Sequence, residues 1–583
     1  MKKYSPYVKK YWYNFILGPL FMILEAVGEF ILPYINANII DKGAAEGDIP
    51  FILRNGMYMA ILAACMMLTG ILGANFAIRG STRLAAGVRR DLFARIQRFS
   101  FSNIDDFTTG SLITRLTNDV TQVQNFCGTL LRGMFRSPIM LIGALIMTYT
   151  LSPSMLWIIV CAMAVLGVSI FTIIRIASPR YTKMQEALDE LNTGIGETVT
   201  NERVIKSFVR EEYEIEKFYK KNKSLVEKTL KALNVMMFMM PVSAFVVNAA
   251  TLAVVWIGGR QIMVGEMTIG TLTALITYLS QILMALNFLA SIILQGTRAA
   301  ASDKRLSEVM NAPIDLTDDN AEHKELQVEH GEIEFCNVGF RYFKDNEEKV
   351  LDGVSFKIEG GQLVGIIGST GSGKTTLVSM ILRLYDADEG EVLIDGVPVK
   401  DYSLYNLREG IATVLQKNTL FAGTVAENLR WGNEQASDGE LERVCKIAQA
   451  HSFIDAFPEK YETEIGREGS RLSGGQKQRI CIARALLKTP KIIILDDSTS
   501  AVDTATDASI RRAFREELSG VTKLIIAQRI SSVMDADKII VLDKGRVVGI
   551  GNNEYLMKNC EAYREIYYSQ KDRENEKSEE VSE

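Results

Sequence analysis

The chain has 583 residues, of which 48% are hydrophobic and 23% charged, with a formal net charge of −5. That length points to more than one domain, and the acidic balance leaves no basic footprint for nucleic acid. Seven cysteines, at 65, 127, 161, 336, 445, 481 and 560, form no Cys-x-x-Cys pair, so neither a zinc site nor a disulfide framework is signalled.

The first half reads as membrane. A helix needs about 20 apolar residues to cross a bilayer, and six runs qualify, at roughly 12–34, 55–78, 135–152, 155–175, 234–258 and 269–294. The first run is too long for a cleavable signal and no small-residue cleavage site follows it, so it reads as an anchor. The segment 79–136 holds Arg79, Arg83, Arg89, Arg90, Arg95, Arg98, Arg115, Arg132 and Arg136, and 175–233 is also rich in Lys and Arg. The loop near 152–154 has no charge, and the one near 259–268 has only Arg260 and Glu266. The positive-inside rule then places both long segments and both termini in the cytoplasm.

Each long segment is helical in pattern with a turn-like middle, "FSNIDDFTTGS" at 101–111 and "LNTGIGETVTNERVIKSF" at 191–208. Paired helices of that length would project about 35–40 Å from the membrane, at about 1.5 Å per residue. Their tips suit contact with a cytoplasmic partner domain. Within the spans, Glu25 and Glu29 lie four residues apart on one helix face. They suit either a cation-attracting cavity or a structural polar contact. Met236, Met237, Met239 and Met240, with Gln281 and Asn287, are candidates for a cavity wall, and lipid contact explains the methionines equally well.

Polar residues from 296 make a linker, and from Gly331 short β-rich runs alternate with helical stretches. The end from 571, "KDRENEKSEEVSE", is charged and reads as disordered. The expected domains are therefore 1–310 in the membrane, a linker at 311–330, an α/β domain at 331–568 and a charged tail at 569–583.

The α/β part carries the clearest chemistry. "GSTGSGKTT", Gly368, Ser369, Thr370, Gly371, Ser372, Gly373, Lys374, Thr375 and Thr376, follows the strand-like "QLVGII" and fits G-x-x-x-x-G-K-[ST]. Its glycines let backbone N–H groups curl round phosphate at a helix N-terminus. Lys374 adds a point charge, and Thr375 a hydroxyl for Mg²⁺. "KIIILDD" is the matching second strand, ending in Asp496, which would hold Mg²⁺ through water. Between them, "RLSGGQKQR" at 471–479 opens a helix that could bind an anion.

These motifs in this order resemble an ABC transporter nucleotide-binding domain. With six preceding spans and "IDDFTTGSLITRLTNDV" at 104–120, the chain is similar over about 10–568 to an exporter half-transporter. The implied fold is an α-helical membrane domain of six transmembrane helices with long cytoplasmic extensions, followed by an α/β P-loop ATPase domain. The resemblance implies that Tyr342 stacks on adenine, and that Gln416 contacts Mg²⁺ and the attacking water. It implies that Ser473, Gly474, Gly475 and Gln476 serve ATP bound to a partner chain, with Asp503 at the dimer interface. ATP and Mg²⁺ are the implied cofactors. The implied partners are a second half-transporter, membrane lipid and an amphiphilic drug, lipid or peptide cargo.

Two positions depart from the family pattern. Asp497 stands where the family usually has the glutamate that polarises the attacking water. Gln528, in "LIIAQRISSV", stands where it has a switch histidine; the three histidines of the chain, 323, 330 and 451, lie elsewhere. Aspartate reaches roughly 1.5 Å less far than glutamate, about one bond length, and glutamine can neither become cationic nor relay a proton. The expectation is an ATP site that holds nucleotide rather than turning it over, in one subunit of a heterodimeric exporter. The alternatives are a homodimeric exporter using Asp497 as a slow base and a non-transporting ATP-binding regulator.

Overall fold

The computed structural model describes residues 2–342, 348–497 and 504–580, and these fall into two compact units. One comprises 1–97 and 109–312, the other 98–108 and 313–583.

The first unit is all helix. Among the described residues, six stretches are long and apolar enough to cross a membrane: Trp12–Ala44, Ile49–Ile96, Thr109–Leu151, Pro153–Thr200, Glu211–Val264 and Ile269–Asn311. Each contains one of the runs expected from the sequence, so the six-span reading is borne out. Small residues let the helices approach closely, as lipid-embedded packing requires. Ala37, Ala144, Ala162, Ala250 and Ala274 cluster around the buried Tyr278, whose hydroxyl donates to the Phe30 carbonyl at 2.7 Å.

A polar knot ties two of these stretches together. The Asp119 side chain is wholly buried and accepts from Ser302 Oγ at 2.8 Å and from Arg305 Nε at 2.8 Å. Nearby, Arg115 donates to the Arg305 carbonyl at 2.8 Å and pairs with Glu308. The "TRLTND" run of the sequence thus fastens the third stretch to the sixth. A second charged cluster joins Glu29 to Arg136, with Gln281 donating to the Glu29 carbonyl at 2.8 Å.

Three local expectations need adjustment. The turn expected in 191–208 falls in the second half of that segment: the helix Leu156–Thr200 runs through "LNTGIGETVT", and the chain turns at Asn201 and again after Ser207. Thr193 and Thr198 donate to carbonyls one turn back, and Gly194 admits Lys221 of the antiparallel helix, 2.8 Å from where a Cβ would stand. Residues 101–111 are not a plain turn either. Ser100 and Asn103 form a reciprocal capping box that starts the short helix Phe101–Phe107. The described part of the charged end is helical, as the helix Glu561–Glu580 continues into it. Its Glu, Lys and Arg residues are good helix formers and can extend a helix already seated by a buried first turn.

The second unit is α/β. A four-stranded antiparallel sheet contains β1 (Ile333–Phe340), β2 (Leu351–Ile358), β4 (Glu389–Ile394) and β5 (Val397–Pro398), in the order β2-β1-β4-β5. A six-stranded sheet contains β3 (Leu363–Gly368), β6 (Ile411–Val414), β7 (Ile492–Asp496), β8 (Thr522–Ile526), β9 (Lys538–Asp543) and β10 (Arg546–Gly551), in the order β10-β9-β3-β8-β7-β6. From β9 to β6 the strands are parallel. A parallel strand is covered on both faces, so its sequence is a continuous apolar run rather than an alternation. In β7, Ile493 and Leu495 enter one core cluster and Ile492 and Ile494 the other. β8 stands between β3 and β7, an order in which the loops after β3 and β7 can flank one crevice at the strands' carboxyl ends.

Residues 98–108 belong to this unit through specific contacts. Asn103 donates to the Pro313 carbonyl at 3.0 Å, Tyr385 Oη donates to Asp105 at 2.8 Å, and the Phe101 and Tyr385 rings are 6.2 Å apart.

Candidate nucleotide site

The crevice is a cleft of 220 Å³ beyond the ends of β3, β7 and β8. Thr370 to Thr376, Gln416, Asp496, Asp497 and Gln528 all line it, with Val350, Ile526 and Ala527. Sequence positions more than 150 apart are thus brought together by the sheet order.

The loop after β3 has the form an anion cradle needs. Gly368 closes it tightly, since a Cβ there would stand 2.2 Å from the Leu542 carbonyl oxygen. Gly373 has φ +96°, and the helix Lys374–Ile381 starts directly after it. Its first N–H groups have no partner within the helix. Lys374 Nζ donates to the carbonyls of Gly368 and Ser369, each at 2.8 Å. Burial pushes its ammonium below the ordinary lysine range, against the charges of Asp496 and Asp497.

Asp496 is buried at the end of β7, and its carboxylate accepts from the Thr375 hydroxyl. Burial raises its carboxyl, and the neighbouring Asp497 adds to the rise, while Thr375 and Lys374 oppose it. Asp497 leaves the strand in a left-handed conformation, φ 47°, with its N–H donating to the Ile526 carbonyl at 2.8 Å. Gln528 Nε2 donates to its carboxylate at 3.1 Å, and Gln416 also bonds it. Burial raises Asp497 as well, against Arg529, Gln416 and Lys374.

The donors present fit a magnesium ion that arrives with its nucleotide. Thr375, Gln416 and Asp496 offer a hydroxyl, a carboxamide and a carboxylate in one cleft. Mg²⁺ keeps waters and phosphate oxygens and takes few protein carboxylates. Among the described residues, no group of three or more His, Cys, Asp or Glu could hold a metal by itself.

The other predicted residues lie around or outside this cleft. Tyr342 is half-exposed beside it; its hydroxyl is 3.0 Å from Thr376 Oγ1, and its ring meets Phe340 and Tyr385 edge-on. Ser473 caps the helix Gly474–Leu487 in a reciprocal box with Gln476. Ser473, Gly474, Gly475 and Gln476 do not line the cleft. Asp503 lies outside the described residues. A larger open cavity of 770 Å³, beside Glu427, Trp431 and Lys488, holds none of the predicted residues. Sequence reasoning missed Arg529, whose charge acts on Asp497, and Tyr385, whose ring meets that of Tyr342. Arg529 adjoins a motif and was findable; Tyr385 carries no local signal.

A phosphate cradle, a buried carboxylate facing its threonine and six membrane-crossing helices define an ATP-binding membrane protein. Residues 15–286 match the ABC transporter transmembrane region, and residues 351–500 match the ABC transporter domain. The chain is 36% identical over 578 residues to the uncharacterized ABC transporter ATP-binding protein YfiB of Bacillus subtilis, covering 99% of this chain and 100% of that one. It is 31% identical to the ATP-dependent lipid A-core flippase of Desulfotalea psychrophila, covering 94% and 95%. A solved bacterial Atm1-family ABC exporter with ATP bound is 25% identical, with TM-score 0.82 over 97% of this chain and 98% of that one. The chain belongs to the ABC transporter family and is an exporter half-transporter, with membrane and ATPase domains in one polypeptide. It is a multi-pass membrane protein that binds ATP, and its activity class is ATP hydrolysis coupled to export. ABC exporters work as dimers.

Proposed function

We propose that this chain is one subunit of a heterodimeric exporter, and that its own nucleotide site retains Mg-ATP rather than turning it over. The carrying observation is the Asp497 carboxylate between two carboxamides, Gln416 and Gln528. Neither carboxamide can take up or relay a proton. A general base must come within about 2.6–3.2 Å of the proton it removes, and aspartate falls short of the usual glutamate by about one bond. Asp497 therefore holds the attacking water weakly, and Gln528 binds the terminal phosphate without charge.

In this reading Tyr342 stacks on the adenine, and the loop Gly368–Thr376 wraps the phosphates. Thr375, Asp496 and Gln416 hold Mg²⁺. Ser473, Gly474, Gly475 and Gln476 contact ATP on the partner chain, which carries the competent base, and Asp503 lies at the interface. The termini and nucleotide domain are cytoplasmic. ATP draws the two nucleotide domains together, and the membrane helices open outward. Hydrolysis in the partner's site resets them. The cargo is hydrophobic or amphiphilic.

The test is steady-state Mg-ATP hydrolysis by this chain alone in lipid, after ATP binding is verified. Negligible turnover supports the proposal. Rapid turnover abolished by Asp497→Asn refutes it and favours a homodimer using Asp497 as base. Burial gives that second reading its support, because it raises the Asp497 carboxyl toward the range a base requires.

A further inference from the structure

The C-terminal helix Glu561–Glu580 makes two hydrogen bonds to the nucleotide site that nothing above requires. Its start is fixed to the domain: Tyr563 is 0% exposed, and Ile566 and Tyr567 pack against the same core. Gln570 lies seven residues after Tyr563, two turns along on the same face. From there its carboxamide meets one short stretch of backbone at two points. Nε2 donates to the Gln528 carbonyl at 2.7 Å, and Oε1 accepts from the Ile530 N–H at 2.9 Å.

The clamped stretch is the one that reaches into the cleft. Gln528 sends its side chain to Asp497 at 3.1 Å, and the charge of Arg529 acts on the same carboxylate. The stretch runs from the end of β8 into the short 3-10 helix Ile530–Ser532, and Gln528 itself lies in neither element. On one side the Ala527 N–H donates to the Ile366 carbonyl at 3.1 Å, and on the other the Arg529 and Ile530 carbonyls accept from the N–H groups of Ser532 and Val533 within the turn. Gln570 adds two bonds, one to the Gln528 carbonyl and one from the Ile530 N–H, that tie this stretch to the C-terminal helix.

We propose that Gln570 is a positioning residue of the nucleotide site: by clamping the Gln528–Ile530 backbone it aims the Gln528 side chain, and so makes recognition of the terminal phosphate depend on the C-terminal helix. This rests on the reading that Gln528 meets that phosphate. It holds whether or not the site hydrolyses ATP. The helix packs without Gln570, through Tyr563, Ile566 and Tyr567, so the clamp is separable from the fold. A carboxamide suits the task because it donates and accepts in one plane; glutamate keeps the length and the acceptor but loses the donor.

The experiment compares binding of AMP-PNP and of ADP, each with Mg²⁺, to the full chain in lipid nanodiscs by displacement of a fluorescent nucleotide. The variants are Gln570→Ala, Gln570→Glu, Gln528→Ala and the Gln528→Ala/Gln570→Ala double. One neutral hydrogen bond corresponds to about a three- to tenfold effect. Both Gln570 variants are expected to weaken AMP-PNP by about that factor while ADP is unchanged, and the double variant is expected to be no weaker than Gln528→Ala alone. Tyr568→Ala, on an exposed part of the same helix, is the control and is expected to leave the ratio unchanged. Equal losses for both nucleotides would mean a merely structural role and overturn the proposal. So would an unchanged ratio in the Gln570 variants while Gln528→Ala shifts it. An unchanged ratio in Gln528→Ala itself would overturn both the proposal and the reading of Gln528 beneath it.

Discussion

Asp497→Glu is the perturbation that most directly tests the impaired site. The added methylene moves the carboxylate outward by about 1.5 Å, one bond length. In the structure the Asp497 carboxylate is met by Gln528 at 3.1 Å, so the longer side chain passes that contact and reaches further into the cleft. Positioned acid–base catalysis is worth about 10²–10⁴ in rate. Recovering only half, on a logarithmic scale, of the lower end of that range gives about a tenfold rise, or about 1.4 kcal/mol off the barrier. The change also has a stability cost. Residue 497 has φ 47°, a conformation that aspartate tolerates better than glutamate, and the difference is about 1 kcal/mol or less. The variant should thus be slightly less stable and yet faster, a combination that general loosening does not produce. On the reading that Ser473–Gln476 serve ATP on a partner chain, a self-associated variant has every element of two working sites except the histidine that Gln528 replaces. The assay is phosphate release in lipid nanodiscs, with Lys374→Ala as the blank and AMP-PNP binding measured alongside. An Asp497→Glu chain that binds AMP-PNP normally and hydrolyses ATP no faster than the parent would refute the argument from reach, as would brisk turnover by the parent.

Three further outcomes follow from the geometry. Burial raises both Asp496 and Asp497, so in the nucleotide-free chain each contributes stability that is present below the ordinary carboxylate range and is lost as pH rises through the raised value. Asp497→Asn is therefore expected to raise the melting temperature at neutral pH and to lose that advantage in acid, read from melts across a pH series. Gly373→Ala places a side chain at φ +96°, with its Cβ 2.8 Å from Leu351 Cδ2 and 3.0 Å from the Val350 carbonyl oxygen. It is expected to lower stability by about 1–3 kcal/mol and to weaken ATP binding, both followed by ligand-dependent melting. Asp119→Ala removes a wholly buried acceptor from Ser302 and from Arg305, whose side chain is 45% exposed. That exposure puts the expected loss below that of a broken fully buried pair, about 3–5 kcal/mol, at about 2 kcal/mol, with partial recovery in Asp119→Asn, measured by melting in detergent.

The parts of this fold that the sequence made legible are those where one physical rule acts alone. Nothing but a bilayer favours six apolar stretches of that length, and the continuous apolar run Ile492–Leu495 fits only a strand covered on both faces. The loop Gly368–Thr376 was legible because backbone curling, helix start and a lysine coincide there. Reading failed where two rules compete. The glycines and threonines of "LNTGIGETVT" have turn propensity, but packing against the helix Glu211–Met237 keeps them helical, so the turn expected in 191–208 comes only at Asn201. The charged end lacks apolar residues to bury, but it follows a helix already anchored by Tyr563. The assignment of residues 98–108 to the second unit depends on Tyr385 and Pro313, more than 200 positions away. No local pattern encodes that.

The adjacency of Asp496 and Asp497 is best understood as a charge problem. Two carboxylates in one partly buried cleft repel, and burial favours their neutral forms. Lys374 acts on both carboxylates, and Arg529 acts on Asp497 as well. Lys374 is itself held below the ordinary lysine range by burial, so burial works against the charges of both acids and of the lysine. A divalent cation beside Thr375 and Asp496 would offset the repulsion of the acids, and a polyphosphate arriving with it would compete with the Gly368 and Ser369 carbonyls for Lys374. On the proposed reading, Asp497 then faces the terminal phosphate with two neutral carboxamides and one arginine for company. A histidine at 528 could share a proton with that acid; a glutamine cannot. The Asp497 side chain can therefore accept a proton from water, but Gln528 cannot pass one on. For this reason the double variant Asp497→Glu/Gln528→His should exceed the product of the two single effects on phosphate release, because each change supplies what the other lacks.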